Sequence, residues 1–213
     1  MSDRPVFRNR WYSFRQSAKI AEQGYSADAV MSDKDLVLEI FFKEYDKLKS
    51  EQAQRIGFRD NLLYVTLGLF GTVVSFAVSN PSNYYAFLII PWVCLILGWT
   101  YLVNDEKISA IGKYIRLTLV ERVKEKTGYT DLESLFGWEI AHRNDARRMR
   151  RKIQQLIVDE ITFVVSGVIA LAAFWYLVPS PPVGVTILSW VELLFLIVLG
   201  VETFIYADLS KGR

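Results

Sequence analysis

The sequence contains a single histidine and a single cysteine, His142 and Cys94, among its 213 residues. One cysteine excludes an intrachain disulfide, and a metal site built from His and Cys side chains needs more ligands than the chain has. A glycine-rich phosphate loop and a serine nucleophile elbow are also missing. An enzyme would have to rely on carboxylates alone, and no pattern indicates one. We therefore expect no metal, no cofactor and no enzymatic activity.

Charge is missing from two long parts of the chain. Residues 61–103 have no charged side chain, and residues 161–206 have only Glu192 and Glu202. Each block is about twice the ~20 residues that a helix needs to cross ~30 Å of hydrocarbon, and turn residues interrupt each block near its middle. The sequence therefore predicts an all-α integral membrane protein with two transmembrane hairpins. The four predicted spans cover residues 61–79, 84–103, 161–178 and 185–206.

Charged segments flank both apolar blocks. The predicted regions are a basic and aromatic tail (1–31), a cytoplasmic helix (32–60), hairpin 1 (61–103), a cytoplasmic helical region (104–160), hairpin 2 (161–206) and a short tail (207–213). The helix over 32–60 is amphipathic, and it is expected to stack on the first span or to continue into it. In the middle region, one helix is expected to end at Gly128 and another to start near Ile140.

The distribution of basic residues predicts the topology. All 25 Lys and Arg residues lie outside the apolar blocks, and the two hairpin turns contain none. Residues 1–19 lack the apolar core and the cleavage site of a signal peptide. The positive-inside rule then predicts a multi-pass protein of the inner (plasma) membrane with both termini in the cytoplasm.

The two halves of the chain share a pattern beyond hydropathy. Asp60 and Asn61 precede the first span as Asp159 and Glu160 precede the third, and the second and fourth spans end in similar strings. This similarity predicts a parallel internal repeat, with halves related by an axis along the membrane normal. Chance is the alternative, since apolar helices share few residue types.

Two acids inside the last span are the sharpest local feature. An acidic side chain in a span costs at least ~2.5 kcal/mol and usually faces a wet cavity, a partner or the helix-bundle interior. We predict that Glu192, Glu202 and Thr203 line a pore or ion path. The alternative for Glu192 is a buried hydrogen bond to Ser, Thr or Tyr. The alternative for Glu202 is contact with the nearby membrane interface.

A basic run precedes the third span, and a second basic group lies in the N-terminal tail. The predicted ligand or lipid-headgroup residues are Arg143, Arg147, Arg148, Arg150, Arg151, Lys152, Arg8 and Arg10. Positive-inside topology and contact with anionic headgroups account for these charges. The functional alternative is an anion or nucleotide site that regulates the membrane part.

Several short strings carry a resemblance to a known group of proteins. They are KEYDKLKSEQ (43–52), RIGFRD (55–60), WTYLVND (99–105), ISAIG (108–112) and GWEIAHR (137–143). Over residues 40–178 the chain resembles a family of small bacterial integral membrane proteins of unassigned activity. In size and layout it is also similar to membrane effectors of antiphage defence, such as the Hailong type. That likeness implies an oligomeric channel that depolarises infected cells on a signal from a nucleotidyltransferase partner.

These observations support one functional hypothesis over two others. The favoured hypothesis is a homo-oligomeric ion channel, with a tetramer preferred, gated through its cytoplasmic helices by a nucleotide or oligonucleotide and acting in abortive infection. The alternative is a non-conducting membrane scaffold that recruits a cytoplasmic partner. A small transporter is disfavoured, because the spans lack interruptions beyond Pro91.

Overall fold

The computed structural model describes residues 33–128, 137 and 147–207, and regular structure in these ranges is entirely helical. Four of its helical stretches are long and apolar enough to cross a membrane. They are Asp35–Ser79, Pro81–Thr127, Met149–Leu177 and Val183–Tyr206. The prediction of an all-α chain with four candidate membrane spans is therefore confirmed.

Helix α1 covers Asp33–Ser79 without a break, as its 47 residues include no proline. The predicted cytoplasmic helix therefore continues directly into the first span. The chain divides into two units, Met1–Lys43 and Glu44–Arg213. In the first unit Lys43 pairs with Glu39 one turn earlier, at 2.6 Å from Nζ to Oε1. The predicted helix cap at Ser32 lies outside the described residues.

The first hairpin turns at Asn80, whose side-chain oxygen accepts a hydrogen bond from the Ser82 amide at 3.0 Å. A 3₁₀ segment, Pro81–Leu88, leads into helix α2, Ile89–Tyr114. A π-helical segment, Ile115–Leu119, then joins α2 to α3, Val120–Thr127. Helix α3 ends as predicted at Gly128, whose φ of 69° suits glycine.

The second hairpin also begins outside its apolar block. Helix α4 (Arg148–Asp159) continues through a π-helical segment (Glu160–Val165) into α5 (Ser166–Leu177), and α6 covers Val183–Tyr206. The Ser166 hydroxyl donates to the Ile161 carbonyl, five residues back, at 2.8 Å. The predicted spans match α5 and α6 closely, whereas the predicted helix start near Ile140 lies outside the described residues.

Packing inside the second unit depends on two glycines. A Cβ added at Gly167 would lie 2.8 Å from Leu196, and one added at Gly98 would lie 2.9 Å from Leu199. Helix α6 therefore approaches α5 and α2 closely, as small residues allow in membranes. Gly68 and Gly71 of α1 have open space at the same position. Both glycines are exposed on α1.

Candidate functional site

Four side chains form the inward face of α6. Ser189, Glu192, Leu196 and Leu199 recur at three- and four-residue steps, and each is at most 1% exposed. Ser189 and Glu192 lie toward the end of the unit where the hairpins turn, which we call the turn end. Leu196 and Leu199 lie toward the opposite end, where the helices enter charged segments, which we call the charged end. The inward face is thus polar in one half and apolar in the other.

Glu192 is completely buried, and neither carboxylate oxygen has a hydrogen-bond partner among the described residues. The indole of Trp92 on α2 lies beside the carboxylate, but it does not satisfy either oxygen. A buried carboxylate without a partner costs several kcal/mol when ionised, roughly 3–5 by comparison with broken ion pairs. The alternative of a buried hydrogen bond to Ser, Thr or Tyr is not found. An ion-path role stays a prediction.

Polar groups connect the Glu192 side of α6 with the turn end. The Trp175 indole Nε1 donates to the Ser189 Oγ at 2.9 Å, and that hydroxyl donates to the Thr186 carbonyl at 2.8 Å. An open surface groove of about 390 Å³ lies beside them, lined by Trp175, Thr186, Trp190 and the turn. We call this groove the vestibule. Ser189, one helical turn from Glu192, lies between the vestibule and the carboxylate along α6.

An apolar layer separates Glu192 from the charged end. Leu196 occupies the space above Gly167, and Leu199 occupies the space above Gly98. The Phe163 side chain reaches the same place, since its Cβ would lie 3.0 Å from a Cβ at Gly98. We call Leu196, Leu199 and Phe163 the plug. All three are at most 3% exposed, so the plug is a buried apolar layer.

A second buried acid lies on the charged side of the plug. Phe163 packs on the ring of Tyr101, with centroids 5.2 Å apart. Gln155 Nε2 donates to the Tyr101 hydroxyl at 2.5 Å and to Asp159 Oδ1 at 2.9 Å. Burial raises the pKa of Asp159 to about 6, although hydrogen bonds from Tyr101 and Gln155 oppose the rise. Asp159 therefore titrates closer to neutrality than an ordinary aspartate.

Ion pairs and hydrogen bonds tie α1 to α2 at this level. Arg59 Nη1 bonds to Asp105 Oδ1 at 2.7 Å, and its guanidinium carbon lies 5.8 Å from the Tyr101 ring centroid. Arg55 bonds to the Asn104 side-chain oxygen at 3.3 Å. The Tyr114 hydroxyl donates to Glu44 at 2.6 Å, still farther from the apolar segments. The two helices are therefore linked well beyond their apolar parts.

The remaining predicted pore residues lie apart from Glu192. Glu202 and Thr203 are half-buried near the charged end, ~15 Å along α6 from Glu192. The Thr203 hydroxyl donates to the Leu199 carbonyl at 2.9 Å. That these two residues share an ion path with Glu192 stays a prediction.

The predicted basic site is only partly described. Arg147, Arg150 and Arg151 are exposed on or just before α4, and Lys152 Nζ donates to the Ala207 carbonyl at 3.3 Å. Arg148 is the first residue of α4. Arg143, Arg8 and Arg10 lie outside the described residues. An anion or nucleotide site therefore stays a prediction.

Sequence reasoning missed the cluster of Tyr101, Gln155 and Asp159. Part of its signal lies in the sequence, because Asp159 belongs to the repeat pattern and Tyr101 lies in the WTYLVND string. Their contact depends on how α2 packs against α4, which residue spacing does not reveal.

Comparison with family models, with curated proteins and with solved structures finds no significant match. The fold alone therefore defines the class of this protein: an all-α, membrane-associated, multi-pass protein with four candidate spans.

Proposed function

We propose that the chain is the subunit of a homo-oligomeric ion channel, controlled through its cytoplasmic helices, with Glu192 in the ion path. The observation that carries this proposal is the fully buried Glu192 carboxylate without a hydrogen-bond partner in the described residues. Acids at such depth in a membrane protein mark ion or proton routes. A purely anchoring span gains nothing from such a residue, so the scaffold alternative leaves Glu192 unexplained.

Continuous helices connect the charged end of the protein to its spans and carry the gating signal. Helix α1 and the segments 81–127 and 148–177 each run without a break from the charged end into an apolar span. Movement of their charged parts is therefore transmitted to the spans. The π-helical segment Glu160–Val165 lies at this junction, and π-helical turns are frequent at functional sites. The junction is the place where a signal changes the state of the channel.

The biological setting follows from the resemblance and from charge. We place the charged end in the cytoplasm of a bacterial inner membrane and favour a tetramer, because four spans are few to enclose a pore alone. The gating signal is a nucleotide or oligonucleotide made by a nucleotidyltransferase partner. Binding at the basic residues opens the channel, and depolarisation then aborts phage infection.

Charge movement across liposomes tests the channel. With nucleotide present, purified wild-type protein should dissipate an imposed potential followed by a potential-sensitive dye, and Glu192→Gln should abolish that dissipation. Glu106→Gln is the matched control, because Glu106 is exposed outside the predicted spans. Deletion of residues 1–31 tests control by the tail. Folded, oligomeric protein that moves no charge in any variant, with or without nucleotide, would favour the scaffold.

A further inference from the structure

The surroundings of Glu192 restrict the kind of ion that can use it. Selective sites for metal cations surround the ion with several oxygen ligands from carbonyls, carboxylates or water. Beside Glu192 the structure places the Trp92 indole, a donor without acceptor capacity, and neither Glu192 oxygen has a hydrogen-bond partner among the described residues. A proton needs a single acceptor. Among common ions, the proton is the one that this site fits.

We propose that the ion conducted is the proton, and that each subunit carries it through its own helices from the vestibule to Glu192 and on to Asp159. This inference rests on the proposed channel function and identifies its ion. Each step of the route is a structural neighbourhood already described. The vestibule leads to Ser189, Ser189 lies one turn from Glu192, and the plug separates Glu192 from the cluster of Tyr101, Gln155 and Asp159.

The proton transfers balance without another reactant. On the turn side, a hydronium ion gives its proton to a Glu192 oxygen, which forms an O–H bond and leaves the side chain neutral. When the plug moves, that O–H bond breaks and the proton passes along intervening water molecules to an Asp159 oxygen. Asp159 then releases it to water at the charged end. One positive charge crosses per cycle, and Glu192 returns to the carboxylate.

Charged and titratable groups near the route come from each packed element. Helix α2 contributes Cys94 in the core and Asp105 beyond Tyr101, and α1 contributes Arg59 and Asp60. Glu160 reaches the backbone of α6, with Oε2 at 3.2 Å from a Cβ built at Gly200. These groups lie with Asp159 at the charged end, except Cys94, which contacts Gly167 at the plug. They provide an exit for the proton but no second site at the depth of Glu192.

The plug is the gate, so an opened plug should conduct without a signal. Leu199→Ala removes the side chain that fills the space above Gly98.

Liposomes with a pH-sensitive dye inside and a clamped potential report proton flux, and a potassium-sensitive dye reports potassium flux separately. Proton flux through Leu199→Ala should exceed that of the wild type. Adding Glu192→Gln should lower the flux about 100-fold, the size expected for loss of a positioned proton-transfer group. Adding Glu106→Gln should leave it unchanged.

The outcomes separate failure of the proton route from failure of the channel proposal. Potassium flux that persists after Glu192→Gln would overturn the proton route and leave a channel. Charge movement by neither ion in wild-type or plug variants, with nucleotide present, would remove both proposals. Infrared difference spectroscopy of the wild type provides a readout that needs no conduction. Lowering the pH should produce a protonated-carboxyl C=O band that Glu192→Gln lacks, and a spectrum unchanged by that substitution would also overturn the inference.

Discussion

Glu192 and Asp159 are both buried carboxylates in the same unit, yet their surroundings differ in kind. Asp159 is 8% exposed, accepts a hydrogen bond from Gln155 at 2.9 Å and lies beside the Tyr101 hydroxyl. Glu192 is 0% exposed, and both its oxygens lack partners in the described residues. Burial alone therefore does not decide what an acid contributes. The Asp159 carboxylate accepts a hydrogen bond, whereas the buried, unpartnered Glu192 carboxylate is expected to lower the free energy of unfolding.

The apolar layer between the two acids gives the largest expected effect. Gly167→Leu forces a side chain into the place of Leu196, whose Cδ1 would lie 2.8 Å from the new Cβ. We expect a loss of about 3 kcal/mol in the free energy of unfolding, the upper part of the range for overpacking. Gly184→Leu, also in a helix but with open space around it, is the control. Thermal unfolding in mild detergent measures both, and equal midpoints for the two variants would contradict the packing.

Replacing each acid by leucine tests the comparison directly. Glu192→Leu should raise the free energy of unfolding by about 1 kcal/mol or more, because no partner is left unsatisfied and a desolvated carboxylate is removed. Asp159→Leu should lower it by about 1–2 kcal/mol, because Gln155 and Tyr101 then lose an acceptor. Chemical denaturation in detergent reports both values. Changes of the same sign would show that the two acids are equivalent.

The pH dependence of the free energy of unfolding tests the surroundings of Asp159. Its folded-state pKa of about 6 lies above the ordinary value of 3.8, so the folded protein binds this proton more tightly than the unfolded chain. Between these values stability should rise as the pH falls, by about 1 kcal/mol per pH unit at most. Unfolding of wild type and Asp159→Asn, compared from pH 7 to pH 4, isolates this contribution. A constant difference between the two curves would contradict it.

The sequence predicted the spans because their signal is local. Apolar length, the turn around Pro81 and Asn80, and the left-handed stop at Gly128 each need only neighbouring residues. The same holds for the continuity of α1, where no helix breaker stronger than Gly57 occurs. Hydropathy also identified Glu192 as an acid within a span.

Local sequence patterns did not predict the contacts between distant segments. The isolation of the Glu192 carboxylate depends on the close approach of α2 and α5 to α6. Gly98 and Gly167 permit that approach, and the spacing of apolar residues does not predict it. Asp159 meets Tyr101 across more than fifty residues of sequence. The sequence also predicted that Glu192 and Glu202 line one ion path, and this stays a prediction.

The smallest effect concerns the junction beside Asp159. Arg59 and Asp105 are partly exposed, at 20% and 39% of their side chains, so water weakens their 2.7 Å ion pair. A double-mutant cycle with Arg59→Gln and Asp105→Asn should give a coupling free energy of about 0.5–1 kcal/mol, which falls at high salt. Glu39→Gln with Lys43→Gln, an exposed pair on α1, is the matched control and should give a smaller coupling free energy.

The ion pair of Arg59 with Asp105 also links α1 to α2, so the channel proposal predicts an effect of Arg59→Gln on gating. That variant should change the nucleotide concentration needed for charge movement, while a pair that only adds stability would leave this concentration unchanged.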